Sequence, residues 1–176
     1  MNKALLIFFL FFSCLSITAQ SYLGYVKTTV NFRSEPSTSS TKLASLEKGR
    51  HLFVMSNETI NNYYHVVDIE TNSEGYIHSS YVKLGKQLPK SKEGILKQVG
   101  KTISSQTIIR IHNKSDKKLI LWMNDYVFEL SPNEKITQNL PEGTYNFTVF
   151  AQGKTPEYGT QIIDDGYEYI WSYDSE

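Results

Sequence analysis

The stretch that decides the fold opens with Val30-Asn31-Phe32-Arg33-Ser34-Glu35-Pro36-Ser37 and closes with Glu74-Gly75-Tyr76-Ile77-His78-Ser79-Ser80-Tyr81-Val82. Between these ends lie Leu43-Ala44-Ser45-Leu46-Glu47-Lys48-Gly49 and Tyr63-Tyr64-His65-Val66. Each piece combines a short run of apolar residues at alternating positions with residues that favour turns. Short strands separated by such turns are typical of a small all-β barrel.

These pieces resemble the bacterial SH3 (SH3b) family, in which the same features occur in the same order. The resemblance implies an SH3-like barrel over residues 22–84, about a third of the chain. The features that carry it are the opening Asn31-x-Arg33-x-x-Pro36-Ser37, the turn Leu46-x-x-Gly49, the aromatic residue in Tyr63-x-x-Val66, and the hairpin from Gly75-Tyr76 to Ser79-x-Tyr81.

The resemblance also implies a ligand groove, because some wall-binding members hold a peptidoglycan peptide between aromatic residues. Tyr63 and Tyr76 stand where the family often has tryptophan, and Asn31 and Arg33 would fix polar groups of the ligand. Flat rings contact a ligand with little loss of entropy. The alternatives are that the tyrosines fill the barrel interior and that Arg33 pairs with Glu35 or a loop carbonyl.

The first 20 residues are predicted to be a secretory signal peptide. Lys3 precedes the apolar run Ala4–Phe12, and small and polar residues follow, ending in Thr18-Ala19-Gln20. This order of charged, apolar and small residues is typical of a cleaved signal. We therefore expect an exported protein, in the periplasm, at the cell surface or outside the cell; lipidation of Cys14 is the alternative.

Composition excludes several classes of function for the exported part. Cys14 is the only cysteine, so no disulfide, cysteine metal site or cysteine nucleophile is expected after cleavage. Removal of Lys3 leaves a net charge near −1, which argues against nucleic acid as a partner. The run Ala4–Phe12 is too short to span a bilayer, and we expect no stable membrane span after cleavage.

Residues 85–104 are predicted to be a basic linker. They contain five lysines and the single acid Glu93, and Pro89, Gly94 and Gly100 interrupt any regular pattern. The segment is either a solvated spacer or a patch for anionic wall polymers or lipid headgroups. The lysines are Lys86, Lys90, Lys92, Lys97 and Lys101.

Residues 105–176 are predicted to form a small antiparallel β-sandwich of about seven strands, loosely resembling one found in secreted bacterial proteins. Trp122 alternates out of phase with Leu121 and Met123. If those two face the core, Trp122 points to the other face and is a candidate contact for a sugar or a protein. The alternative is a sandwich whose two faces are both covered.

No enzyme signature is present, and the sequence predicts no catalytic residue, no metal site and no cofactor. The four histidines are scattered, and a two-histidine site of His65 and His78 lacks an evident third ligand. Asp164-Asp165 reads either as half of a calcium site or as a hairpin turn that ends at Gly166.

The sequence as a whole predicts an exported, non-catalytic binding module. Its ligand would be a cell-wall peptide or glycan, peptidoglycan above all, bound through the SH3b-like domain. The alternative is an interaction scaffold in the periplasm or at the surface, which would contact an envelope protein through the C-terminal sandwich and Trp122.

Overall fold

The computed structural model describes residues 20–103 and 106–174, and within them the chain is all-β. Residues 1–19 of the predicted signal peptide, Cys14 among them, lie outside the described residues. The first domain contains seven strands: β1 (Tyr22–Val26), β2 (Val30–Arg33), β3 (Lys42–Leu46), β4 (His51–Val54), β5 (Tyr63–Asp68), β6 (Ser73–His78) and β7 (Val82–Gln87), with a 3₁₀ turn at Ser79–Tyr81.

The seven strands form one curved antiparallel sheet in the order β3-β2-β6-β5-β4-β1-β7. Alternation along the strands sends every second apolar side chain to the interior. Gly75 on β6 permits the closest approach between strands, since a Cβ at this position would lie 2.6 Å from the Arg33 carbonyl oxygen and from the Phe32 ring. The buried residues of this core are Val26, Phe32, Leu46, Leu52, Val54, Val66, Ile77 and Val82.

The second domain is a sandwich of two four-stranded sheets, one of order β11-β10-β13-β14 and the other of order β12-β9-β15-β8. The predicted all-β class, a barrel followed by a sandwich, is confirmed. The strands are β8 (Lys97–Lys101), β9 (Ile108–Asn113), β10 (Leu119–Met123), β11 (Tyr126–Leu130), β12 (Lys135–Asn139), β13 (Gly143–Ala151), β14 (Glu157–Ile163) and β15 (Tyr167–Tyr173).

One strand pair of the sandwich departs from the predicted antiparallel arrangement. Strand β15 lies between β8 and β9, antiparallel to the first and parallel to the second. Because β8 and β9 run in opposite directions, a strand inserted between them is necessarily parallel to one of them. The inward residues of β15 pack against the sandwich core, namely Tyr167, Tyr169, Trp171 and Tyr173.

The segment predicted as a linker is largely attached to the two domains. Strand β7 ends at Gln87, and β8 lies within the predicted linker. Leu88 is buried between the domains, and Leu96 is buried in the sandwich core. The five lysines are exposed, and two of them, Lys97 and Lys101, are on the edge strand β8, where charge discourages pairing with another chain.

A third apolar cluster joins the two domains, and we call it the interdomain cluster. Its buried members are Phe53, Val67, Ile69, Leu88, Ile120 and Phe150, with Leu23, Met55, Trp122 and Tyr158 packed against them. The Phe53 ring meets the Phe150 ring edge to face, with centroids 5.5 Å apart. The barrel and the sandwich therefore pack against each other through apolar side chains that either domain, if separated, would expose to water.

Hydrogen bonds reinforce this contact at its margin. The Gly153 N–H donates to the Ile69 carbonyl at 2.9 Å, and the Tyr158 hydroxyl donates to the Leu88 carbonyl at 2.7 Å. Over residues 20–103 and 106–174, no helix is long and apolar enough to cross a membrane.

Candidate functional site

A groove of about 420 Å³ lies on the outer face of the barrel, beside the 3₁₀ turn. Phe32 on β2 points inward, so its neighbours Asn31 and Arg33 point outward into the groove. Strands β5 and β6 place Tyr63 opposite His78 on the same outer face. The lining residues are Thr29, Val30, Asn31, Arg33, Thr38, Ser45, Tyr63, His78, Ser80 and Tyr81.

Three aromatic rings form the floor and one wall of the groove. The Tyr63 and His78 rings meet edge to face with centroids 5.2 Å apart, and the His78 and Tyr81 rings do so at 6.0 Å. Tyr63 is only 6% exposed and forms the floor, whereas Tyr81 is 42% exposed and forms the wall. Because neighbouring rings fix one another, the surface is held in shape before any ligand arrives.

His78 also fixes the turn that carries Tyr81. Its Nδ1 accepts the backbone N–H of Ser80 at 3.3 Å and lies 2.7 Å from the Ser80 Oγ. The ring thereby caps the 3₁₀ turn Ser79–Tyr81. With Nδ1 accepting, the neutral ring carries its proton on Nε2, and that N–H is a hydrogen-bond donor.

Arg33 contributes the positive charge of the groove. Its Nη1 donates to the Ser40 carbonyl oxygen at 2.8 Å. Of the two alternatives raised from the sequence, the loop carbonyl is the actual partner, and Glu35 is not. Among the described residues no carboxylate lies within ion-pair distance of Arg33, and the other nitrogens of its guanidinium make no hydrogen bond there.

Tyr76 lies next to the groove but does not line it. Its ring stacks on His65 at a centroid distance of 4.7 Å and an angle of 11°, and His65 Nε2 lies 2.6 Å from the Glu74 carboxylate. Tyr76 pairs with Arg33 across β2 and β6, so it stands beside the cationic end of the groove. Of the two predicted tyrosines, Tyr63 is part of the groove and Tyr76 forms a platform at its edge.

The two histidines do not form a metal site with each other. His65 contacts Glu74 and Tyr76, whereas His78 contacts Ser80 and the groove rings. In the described part of the chain no group of three or more His, Cys, Asp or Glu residues could hold a metal ion.

Trp122, a predicted contact residue, is half-buried against the interdomain cluster. It does point away from Leu121 and Met123, as its phase predicts, but the face to which it points is covered by the barrel. Its ring meets Phe150 at 4.6 Å within the interdomain cluster. At Trp122 the packing favours the alternative in which the face of the sandwich is covered.

His78 and Tyr81 are the aromatic groove residues that the predicted site did not include. His78 shares a strand and a face with Tyr76, so alternation along β6 contained the signal for it. Tyr81 is the last residue of a 3₁₀ turn, which breaks the alternation, and its place in the groove is visible only in three dimensions.

A second cavity of about 560 Å³ lies along β3 and the turn after it, and it contains an ion-pair network. Arg50 binds both carboxylate oxygens of buried Asp68, at 2.7 and 2.8 Å, and also pairs with Glu70. Burial alone would raise the pKa of Asp68, but the hydrogen bonds from Arg50 and Thr71 outweigh it and lower that pKa. Arg50, Asp68 and Glu70 are engaged with one another, and the first groove combines a cation unpaired among the described residues with aromatic rings, so it is the better candidate site.

The bacterial SH3 domain family matches residues 28–83, which include the whole lining of the groove. This match confirms the resemblance inferred from the sequence. No curated protein and no solved structure matches the chain.

Proposed function

Because residues 28–83 form a bacterial SH3 domain, we propose that this protein is an exported, non-catalytic module that binds peptidoglycan through the groove on its barrel. Bacterial SH3 domains are binding modules that often act on cell-wall components. The observation that carries the proposal is the run of three mutually fixed rings, Tyr63, His78 and Tyr81, beside the uncompensated Arg33.

The chemistry of the lining suits binding better than catalysis. Hydrolysis of a glycan or a peptide calls for a carboxylate pair, an activated nucleophile or a metal-bound water. The lining consists of aromatic rings, hydroxyl groups, one amide and one guanidinium, and the only imidazole is engaged as a cap. Such a surface offers shape and hydrogen bonds to a ligand without a group poised to attack it.

The position of the groove also supports the proposal. None of its lining residues belongs to the interdomain cluster, so the sandwich is attached to a different side of the barrel's surface. Tyr81, Asn31, Thr29 and Thr38 are exposed at its rim. A polymer as large as a wall strand can therefore reach the groove in the complete two-domain protein.

Sedimentation with purified sacculi tests the proposal. The chain without its predicted signal peptide should pellet with sacculi in a saturable manner and should stay in the supernatant without them. A protein that remains soluble at every sacculus concentration would contradict the proposal. The same incubation, followed by chromatography of the supernatant, should release no muropeptides; released fragments would overturn the non-catalytic part.

Export is tested separately by fractionation of cells that make the complete chain. We expect the processed protein in the periplasmic, surface or extracellular fraction, with an N-terminus near residue 20. Unprocessed protein in the cytoplasm would contradict the proposed location.

A further inference from the structure

We infer that the groove recognises a carboxylate on a short peptide, with Arg33 as its anchoring residue. This inference rests on the proposed function and names the chemical group that the site selects within the wall. Arg33 is the only charged residue among those that line the groove. The charge that a ligand would meet there is therefore positive.

The guanidinium of Arg33 is available to a ligand. It is half-buried, held at one nitrogen by the Ser40 carbonyl, and has no carboxylate partner among the described residues. The tether orients the group without neutralising it. A planar guanidinium with free N–H groups matches the two oxygens of a carboxylate in a bidentate contact, which is among the stronger hydrogen-bonded pairs in proteins.

Other polar groups around the rings are also suited to an acceptor. The Nε2–H of His78 is a donor in the neutral ring, because Nδ1 is occupied by Ser80. Asn31 adds an amide, which can donate as well as accept, at the exposed rim. A ligand with a carboxylate and flanking amide groups meets these donors better than a cationic ligand, for which the lining provides no carboxylate.

The rings favour a peptide over a sugar. A sugar stacks best on a broad, open ring face, but Tyr63 is almost fully buried and meets His78 edge to face. Tyr81 alone among the groove rings is exposed, at one wall. A narrow groove of about 420 Å³ with a ring floor and a hydroxyl rim suits an extended peptide of a few residues.

Competition for sacculus binding tests the inference with wall fragments of known composition. An amidase separates the wall into a peptide fraction and a glycan fraction, and carbodiimide with ammonium converts the carboxylates of each fraction into amides. The untreated peptide fraction should displace the protein from sacculi, and amidation should weaken this competition about tenfold, as expected for the loss of a charged hydrogen bond. Competition by the glycan fraction alone, or equal competition before and after amidation, would overturn the inference.

Variants of Arg33 connect the preference to one residue. Arg33→Gln should remove the difference between free and amidated peptides, whereas Arg33→Lys should retain part of it. Arg110→Gln is the matched control, because Arg110 is an exposed arginine on the sandwich that pairs with Glu168, and its preference should equal that of the wild type. If Arg33→Gln still preferred the untreated peptide over the amidated one as strongly as the wild type does, Arg33 would not be the anchoring residue.

Sedimentation and competition together separate a failure of the proposed function from a failure of the carboxylate inference. If the protein does not sediment with sacculi at all, the proposed function is wrong. If it sediments, but amidated and untreated peptides compete equally, only the carboxylate inference is wrong.

Discussion

Aromatic residues on outward faces of strands build both the groove and the interdomain cluster, yet the two regions have opposite characters. In the groove Tyr63, His78 and Tyr81 stand beside hydroxyl groups and Arg33, and the surface stays open. In the interdomain cluster Trp122 and Phe150 stand beside aliphatic residues of the barrel, and the surface is closed. The rings are similar in the two regions. Polar neighbours keep the groove open to a ligand, whereas aliphatic neighbours close the interdomain cluster.

An outward-facing aromatic ring therefore does not by itself indicate a ligand site. Exposure of a ring to water costs free energy in proportion to its apolar area. That cost is removed when a neighbouring domain packs over the ring. Polar groups such as those of Arg33 and Asn31 flank the groove rings. An apolar surface packed over them would leave these groups without hydrogen-bond partners. We therefore expect substitutions in the closed region to change stability and substitutions in the open region to change binding.

The largest effect is expected at Phe53. Phe53→Ala should lower the free energy of unfolding by about 3–5 kcal/mol, because Phe53 is buried and contacts Phe150 and Tyr158 across the domain contact. Urea unfolding followed by tryptophan fluorescence, which reports on Trp122 and Trp171, measures the change. Leu43→Ala is the control, since Leu43 is half exposed and its loss should cost little. Equal losses in the two variants would show that the interdomain cluster does not hold the domains together.

A smaller effect is expected at Asp68, whose network shapes the end of β5 next to the domain contact. Asp68→Asn should cost about 2–3 kcal/mol, less than for a fully buried pair, because the Arg50 side chain is partly exposed and keeps Glu70. Urea unfolding at neutral pH measures the loss.

The same residue predicts a pH dependence. The pKa of Asp68 is lowered in the folded protein, so its contribution is complete above the ordinary carboxyl value of 3.8 and disappears as the pH falls through the lower folded value. Between about pH 5 and pH 2 the wild type should lose more stability than Asp68→Asn. Parallel pH profiles of the two proteins would contradict this assignment.

Gly75 tests how the barrel supports the groove. Gly75→Ala should cost about 1–3 kcal/mol, because the added Cβ would lie 2.6 Å from backbone and ring atoms of β2 and displace Arg33 and Tyr76. We also expect sacculus binding to weaken. Gly100→Ala is the matched control, since a Cβ there meets no atom within 4 Å. Unchanged binding in a destabilised Gly75→Ala protein would show that the groove tolerates a shift of β2.

The sequence predicted most of the first domain because its order of turns and alternating strands is local. Asn31, Arg33 and Tyr63 were proposed from the resemblance to the bacterial SH3 family, and all three line the groove. Tyr81 was not predicted, and the packed environment of Trp122 was raised only as an alternative. The first depends on a 3₁₀ turn and the second on a contact between residues far apart in the chain, and periodicity contains neither.

The segment predicted as a linker contains contacts that its composition does not indicate. Lysines and glycines between residues 85 and 104 indicate an exposed segment, and the lysines are exposed. The edge strand β8 exists because β15, from the other end of the domain, pairs with it. The attachment is carried by Leu88 and Leu96, whose burial depends on contacts with strands far away in the chain.

The most direct measurement compares Tyr81→Ala with Trp122→Ala, each in sacculus sedimentation and in urea unfolding. Tyr81 is an exposed wall of the groove, so Tyr81→Ala should lose most of the binding and change the free energy of unfolding by less than about 0.5 kcal/mol. Trp122 is packed in the interdomain cluster, so Trp122→Ala should lose about 2 kcal/mol of stability and keep wild-type binding under folding conditions. The reverse result, with binding lost in Trp122→Ala and retained in Tyr81→Ala, would contradict the assignment of the groove as the ligand site.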